Sequence, residues 1–262
     1  MKYLLIILFI ALLFASCKKE EEKTAANPEG KIVFHFLHQV DGQDLDIDTM
    51  KYVNAAGNHY LINEIQYFIS DVTLHLAGGG SILIDEWKDI HYVDTDIPST
   101  HTWEVYDAIQ AGSYEYISFT FGISEEKNHS FMYVNPPESF MFWPEYLGGG
   151  YHYMKLNGKW LNEDLFIEPF DFHLGIGQIL DTAGQITGFV HNDFEVVLPG
   201  SAFTLQSGET IDIDIIMNIE NWFQDPNLYD HNIWGGYIMQ NQEAMHVACE
   251  NGWNVFEVGY GL

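Results

Sequence analysis

The sequence predicts an all-β chain, an antiparallel β-sandwich or partly open barrel with one short C-terminal helix. Three observations predict it. Apolar and polar residues alternate with period two in several segments, most strictly in Ile211-Asp212-Ile213-Asp214-Ile215. Glycine-rich breaks such as Gly78-Gly79-Gly80 and Gly148-Gly149-Gly150 separate short runs rich in β-branched and aromatic residues. Helical periodicity is confined to the C-terminal quarter. Elements of this kind form layered β architectures.

In chain order, residues 1–16 (MKYLLIILFIALLFAS) carry one Lys and an apolar run too short to span a bilayer, which reads as a secretory signal peptide. Cys17 follows two small residues as in a lipoprotein cleavage site, although Phe14 stands where Leu is usual. A lipidated Cys17 would hold the mature chain on a membrane. Residues 17–30 then form the tether. Its Lys18-Lys19-Glu20-Glu21-Glu22-Lys23 run has no apolar face. The same run resembles the export tag of Bacteroidetes surface lipoproteins.

A single domain is expected from residue 31 to 262. Lys31 to Val40 alternates with Ile32, Phe34 and Phe36 on one side. Tyr60 to Leu76 is long enough for one bent strand or two. Ser81 to Asp85, Ile90 to Asp94 and Tyr114 to Gly122 follow, then Tyr151 to Asn157, Pro169 to Leu174, Phe189 to Val197 and Thr210 to Met217. Asn218 to Phe223 reads as one or two helical turns. Gly236 to Glu250 reads as the C-terminal helix, ending at Asn251-Gly252.

Composition narrows function. The 262 residues carry 10 Lys+Arg, all of them Lys, against 38 Asp+Glu, a net charge of −28. Without the signal segment the charge is 9 minus 38, or −29. A polyanion without Arg repels phosphate backbones and has no guanidinium fork to read bases, so no nucleic-acid partner is expected. Nor would a basic patch dock it on anionic lipid, leaving the lipid anchor as the expected link to a membrane. Hydrophobic residues at 47% and aromatics at 15% suffice for a core, so this is not a disordered acidic chain. Of two cysteines only Cys249 would remain free, which excludes thiolate zinc and iron–sulfur sites. No nucleophile elbow, phosphate loop, dinucleotide fingerprint or His-Glu-x-x-His motif is present, and no enzymatic turnover is expected.

Twelve His are unusual in so acidic a chain. His35 and His38 lie in the first strand. His129 lies in a loop after a strand, and His152 and His173 lie at strand ends. Such ends can converge on a metal, and imidazoles without thiolates suit copper or zinc. Trp143 in Phe140-Met141-Phe142-Trp143-Pro144-Glu145 reads either as an aromatic core corner or as an oxidisable indole beside a metal. Asp44, Asp46 and Asp48 share one side of an extended segment. They read as a solvated loop or as a Ca²⁺ site, and with seven Trp and fifteen Tyr they support an alternative, a surface glycan- or calcium-dependent binding module.

From Lys31 to about Gly188 the chain resembles the MbnP-like family of secreted copper-binding proteins. The resemblance rests on Tyr52-Val53-Asn54-Ala55-Ala56-Gly57-Asn58, Ile65-Gln66-Tyr67-Phe68-Ile69-Ser70-Asp71-Val72 and Ala111-Gly112-Ser113-Tyr114. It continues through Phe119-Thr120-Phe121-Gly122-Ile123, Met141-Phe142-Trp143, Gly149-Gly150-Tyr151, Lys155-Leu156-Asn157-Gly158 and Phe172-His173-Leu174-Gly175. It implies an all-β fold that binds copper through imidazoles, in metal acquisition or homeostasis. His173 is the foremost ligand, followed by His38 and His129, with His152 as an extra ligand. It also implies a Trp oxidised to kynurenine by a di-haem cytochrome c peroxidase-like partner, with Trp143 in that region. Relatives often carry a second Trp two places on, where this chain has Glu145. The resemblance and the leader together imply an outer-membrane lipoprotein, on the periplasmic side or the cell surface.

Overall fold

The computed structural model describes residues 28–260, so the signal segment, Cys17 and most of the tether lie outside the described residues. The principal strands are β1 (Glu29–Val40), β2 (His59–Leu76), β3 (Ile90–Asp94), β4 (Gly112–Phe121), β5 (Met154–Leu161), β6 (Ile167–Leu174), β7 (Phe194–Leu198), β8 (Thr210–Asn218) and β9 (Phe256–Tyr260). One sheet has the order β9–β8–β1, with three short strands added to β1. The other has the order β6–β5–β2–β4–β7, with further short strands along β2 and β4. The two face each other as a sandwich that does not close into a barrel.

The inner faces follow from the alternation. Ile32, Phe34 and Phe36 of β1 and Ile213, Ile215 and Met217 of β8 are buried, at 0% to 1% exposure. They share one core with Tyr67, Ile69, Phe119 and Phe121 of the opposing sheet. Rings interlock across the gap, with Tyr67 and Phe119 reaching Phe256 of β9 at 6.3 and 5.3 Å. Nearly all the pairings are antiparallel, as expected. The β1–β8 pair is parallel, from Lys31 opposite Thr210 to Gln39 opposite Asn218. The connection between them runs through the other sheet, which removes the antiparallel requirement of a hairpin.

The segment expected as one bent strand or two is the single strand β2. Its register shifts between Ser70 and Thr73, where Asp71 takes φ 54°, so it bends at a bulge and changes partners. The expected helix from Gly236 begins later, at Gln242, where the Asn241 side chain accepts from the Ala244 amide as N-cap. Gly236 is held against the Pro169 carbonyl, only 2.3 Å from where a Cβ would lie. The Asp171 amide also donates to the Gly236 carbonyl at 2.6 Å, which ties this stretch to β6 as extended chain. Call the one-turn helix His231–Trp234 α1 and the helix Gln242–Asn251 α2. No helix among the described residues is long and apolar enough to cross a membrane.

Candidate metal centre

Strand β6 alternates Phe170, Phe172 and Leu174 into the core, which leaves Asp171 and His173 on the other face. Register then sets a row across the sheet: His173 opposite Lys155, Lys155 opposite Gln66, Gln66 opposite Asp94. Opposed residues point to the same face, so these four share it. One step along, Asp171, Asn157 and Glu64 form a second row.

The segment before β5 lays His152 against this face. Gly148, Gly149 and Gly150 take φ of 125°, 72° and 75°, and at Gly150 a Cβ would meet Asn128 Oδ1 at 2.5 Å. A glycine turn is required on both counts. Asn128 staples the turn: its Oδ1 accepts from the Tyr151 amide at 2.8 Å and its Nδ2 donates to the Tyr151 carbonyl at 3.2 Å. The Trp143 amide donates to the Gly150 carbonyl at 2.8 Å.

His152 and His173 meet edge to face with ring centroids 5.1 Å apart. Each has one nitrogen committed to an acceptor. His152 Nδ1 donates to the Met141 carbonyl at 2.8 Å, and His173 Nε2 donates to Asn157 Oδ1 at 2.8 Å. Asn157 in turn donates from Nδ2 to Glu64 Oε2 at 3.2 Å. These acceptors assign the tautomers and leave lone pairs on His152 Nε2 and His173 Nδ1. His152 Nε2 is buried and has no partner. An orphaned buried nitrogen beside a second imidazole of fixed tautomer is a donor set that fits a metal ion.

Electrostatics favour the unprotonated form. Burial holds His152 well below its usual pKa, with His173 and Lys155 adding to the shift. Burial and then Lys155 bring His173 down to about 3. Lys155 is itself lowered by burial and donates from Nζ to the Phe140 carbonyl. Trp143 has no exposed surface. Its ring lies edge to face with His152 at 4.6 Å, and its Nε1 donates to the Leu147 carbonyl at 3.1 Å.

The four histidines expected to converge do not form one cluster. Among the described residues, no group of three or more His, Cys, Asp or Glu side chains is placed to hold a metal. His152 and His173 come together, whereas His129 is an exposed loop residue. His38 belongs elsewhere, in the inward stripe of β1 between Phe36 and Val40. Its ring is edge-on to His101 at 5.6 Å and to Tyr67 at 5.7 Å. Burial and His101 lower its pKa to about 3, and its Nε2 has no partner. Sequence reasoning missed His101, which ends the turn Pro98–His101 and donates from Nε2 to the Asp94 carbonyl at 2.9 Å. Asp44, Asp46 and Asp48 do not converge either: Asp46 pairs with Lys51 and Asp48 accepts from Asn63.

The family model for MbnP matches residues 29–243. No curated protein sequence matches. Among solved structures, MbnP from Methylosinus trichosporium is similar, with a TM-score of 0.58 at 16% identity, covering 88% of this chain and 99% of that one. That likeness extends the shared fold over nearly the whole of the relative. With more than half its length under the family model, the chain belongs to the MbnP family.

Proposed function

We propose that this chain is an exported lipoprotein that binds copper through His152 and His173, in copper acquisition or homeostasis and without turnover of its own. The observation that carries this reading is the orphaned, buried Nε2 of His152 beside His173. Two imidazoles without thiolate suit Cu(I), which accepts two nitrogen donors, and Cu(II) with added ligands. The Met141 carbonyl and Asn157 orient the rings, and Glu64 orients Asn157. Burial keeps both imidazoles unprotonated, so no proton has to leave before metal enters. Copper bound here supplies redox and Lewis-acid capacity; the chain's own residues fix the rings and exclude water.

Trp143 sits against His152 and is the residue we assign for oxidation to kynurenine by a di-haem peroxidase-like partner. Its burial means that the partner would draw the electrons and protons across packed atoms, while water supplies the added oxygen and the lost ring carbon leaves as formate. Cys17 carries the lipid and places the protein at the outer membrane. Elemental analysis of the protein purified from its own host tests the reading, with about one copper per chain expected. Mass spectrometry of the same material should show the Trp143 peptide heavier by the difference between kynurenine and tryptophan. Copper retained in His173→Ala but lost in His38→Ala would move the site to the His38–His101 pair. Metal-free native protein would overturn the reading.

A further inference from the structure

Away from the histidine pair, the surface carries an arrangement that the copper reading does not use. Trp87 is 89% exposed and Tyr106 is 66% exposed. They flank Lys88 around a cleft of about 500 Å³, within the ~300–1,000 Å³ typical of small-molecule sites. A second cavity of about 320 Å³ continues past Lys88 and Tyr106 to Thr102 and Glu104. A third, of about 280 Å³, continues past Trp87 to Tyr133 and Glu138.

The aromatic walls are built rather than stray. The Lys88 amide donates to the Glu86 carbonyl at 2.8 Å and Trp87 between them has φ 65°. Trp87 is therefore the central residue of a positive-φ γ-turn, a rare and strained conformation for a bulky side chain. Strain of this kind persists only where neighbours enforce it. Asp107 enforces it, with its carboxylate accepting from the Asp85 amide at 3.1 Å and from the Glu86 amide at 3.2 Å. The same clamp ties the Trp87 turn to the segment that bears Tyr106 and so fixes the width of the cleft. Lys88 is held from below by Trp103, with Nζ 5.9 Å from the ring centre. Trp103 is in turn stacked on His91 at 5.0 Å.

We propose that Trp87 and Tyr106 form a binding cleft for a neutral oligosaccharide. Exposed indole and phenol faces stack on the C–H faces of pyranose rings. Lys88, Glu104 and Glu138 supply the few placed polar groups that fix the orientation of hydroxyls. The charge of −28 disfavours acidic glycans and anionic lipid. The run of cavities on both sides of Lys88 suits a chain of sugars rather than a monosaccharide. None of these residues belongs to the His152–His173 pair, so the cleft serves copper-free and copper-loaded protein alike.

The test titrates the full mature chain with cellohexaose, laminarihexaose, mannohexaose and maltohexaose while following tryptophan emission. Vesicles of phosphatidylethanolamine and phosphatidylglycerol form a separate arm. Saturable binding of at least one hexaose, with a blue shift as Trp87 leaves water, is expected. By titration calorimetry, which does not depend on the indole signal, Trp87→Ala and Tyr106→Ala should each weaken it about tenfold or more with unchanged thermal melting. Trp253→Ala, another exposed tryptophan at 63%, should leave it intact. Asp107→Ala, which frees the turn but removes no wall, should weaken binding without abolishing the blue shift. No saturable response to any of the four sugars would overturn the proposal, as would binding unaffected by Trp87→Ala. Vesicle binding that depends on Trp87, in the absence of sugar binding, would instead assign the surface to lipid and overturn it too.

Discussion

His173 donates a hydrogen bond to Asn157, and that bond, set by the sheet register, fixes which nitrogen of His173 keeps its lone pair. Asn157→Leu keeps the strand but removes the acceptor. It should weaken copper binding about 10–100-fold, the usual cost of losing an outer partner. His152→Ala and His173→Ala should each weaken it more, and His129→Ala should have no effect. Competition against a chelator of known Cu(I) affinity reads all four. Equal affinity in Asn157→Leu and wild type would separate the tautomer from binding.

Copper affinity should be flat from pH 7 to 5. At an ordinary imidazole, protons compete below about pH 6.5, with about a tenfold loss per pH unit for each ligand. His173 is lowered to about 3 and His152 lies well below its usual value, so competition is postponed to strongly acid solution. The same chelator competition at pH 7, 6 and 5 checks this. A fall with the slope of two protons across that range would show that the imidazoles are open to water.

Fold stability should follow the opposite pattern. His38, His91 and His231 are held at about 3, 3 and 4 by burial. Each is neutral when folded and protonates near pH 6.5 when unfolded. The unfolded chain thus binds more protons, and stability is full above about pH 6.5 and declines toward the folded values. Raised carboxyls such as Asp193 and Glu220 act in the other direction, but the histidine shifts are the larger. Urea midpoints should drop between pH 7 and 5.

His231 gives that decline a removable part. It is 1% exposed, boxed by Phe170 at 4.5 Å, Trp160 at 5.5 Å and Tyr229 at 5.2 Å, and neither ring nitrogen has a partner. A neutral imidazole keeps one N–H, so about 1–3 kcal/mol of desolvation is uncompensated. His231→Phe should narrow the difference between the pH 7 and pH 5 urea midpoints. An unchanged difference would place the acid sensitivity in the other histidines.

Gly175 lies under Trp143, where a Cβ would stand 2.6 Å from the indole carbons. Gly175→Ala should destabilise the fold by about 1–3 kcal/mol through overpacking and displace Trp143 from His152. Thermal melting and the near-ultraviolet dichroism of Trp143 report the two effects. A variant as stable as wild type would mean that the loop yields to the added methyl.

Several elements were legible because their signal is local. The alternation of Thr210 to Met217 reproduces β8 to within one residue, and β1 shows the same pattern. Strand β9 was not legible, since Phe256–Tyr260 is short and takes its place only from pairing with β8. His173 and Trp143 could be singled out, and His152 stood only as an extra ligand. What could not be read was which histidines meet. That depends on register, on the Asn128 staple and on the turn that carries His101, none of which leaves a local pattern.

The parallel pairing of β1 with β8 also constrains the order of events in the life of the chain. His35 and Asp212, joined across that pair at 2.7 Å, are 177 positions apart. The first strand to emerge during synthesis therefore waits for its neighbour until most of the polypeptide has been made. Contacts of such long range come late and slowly. Until then the N-terminal third has no finished sheet to join. For a chain exported as proposed above, that delay would keep it translocatable and reserve folding for the far side.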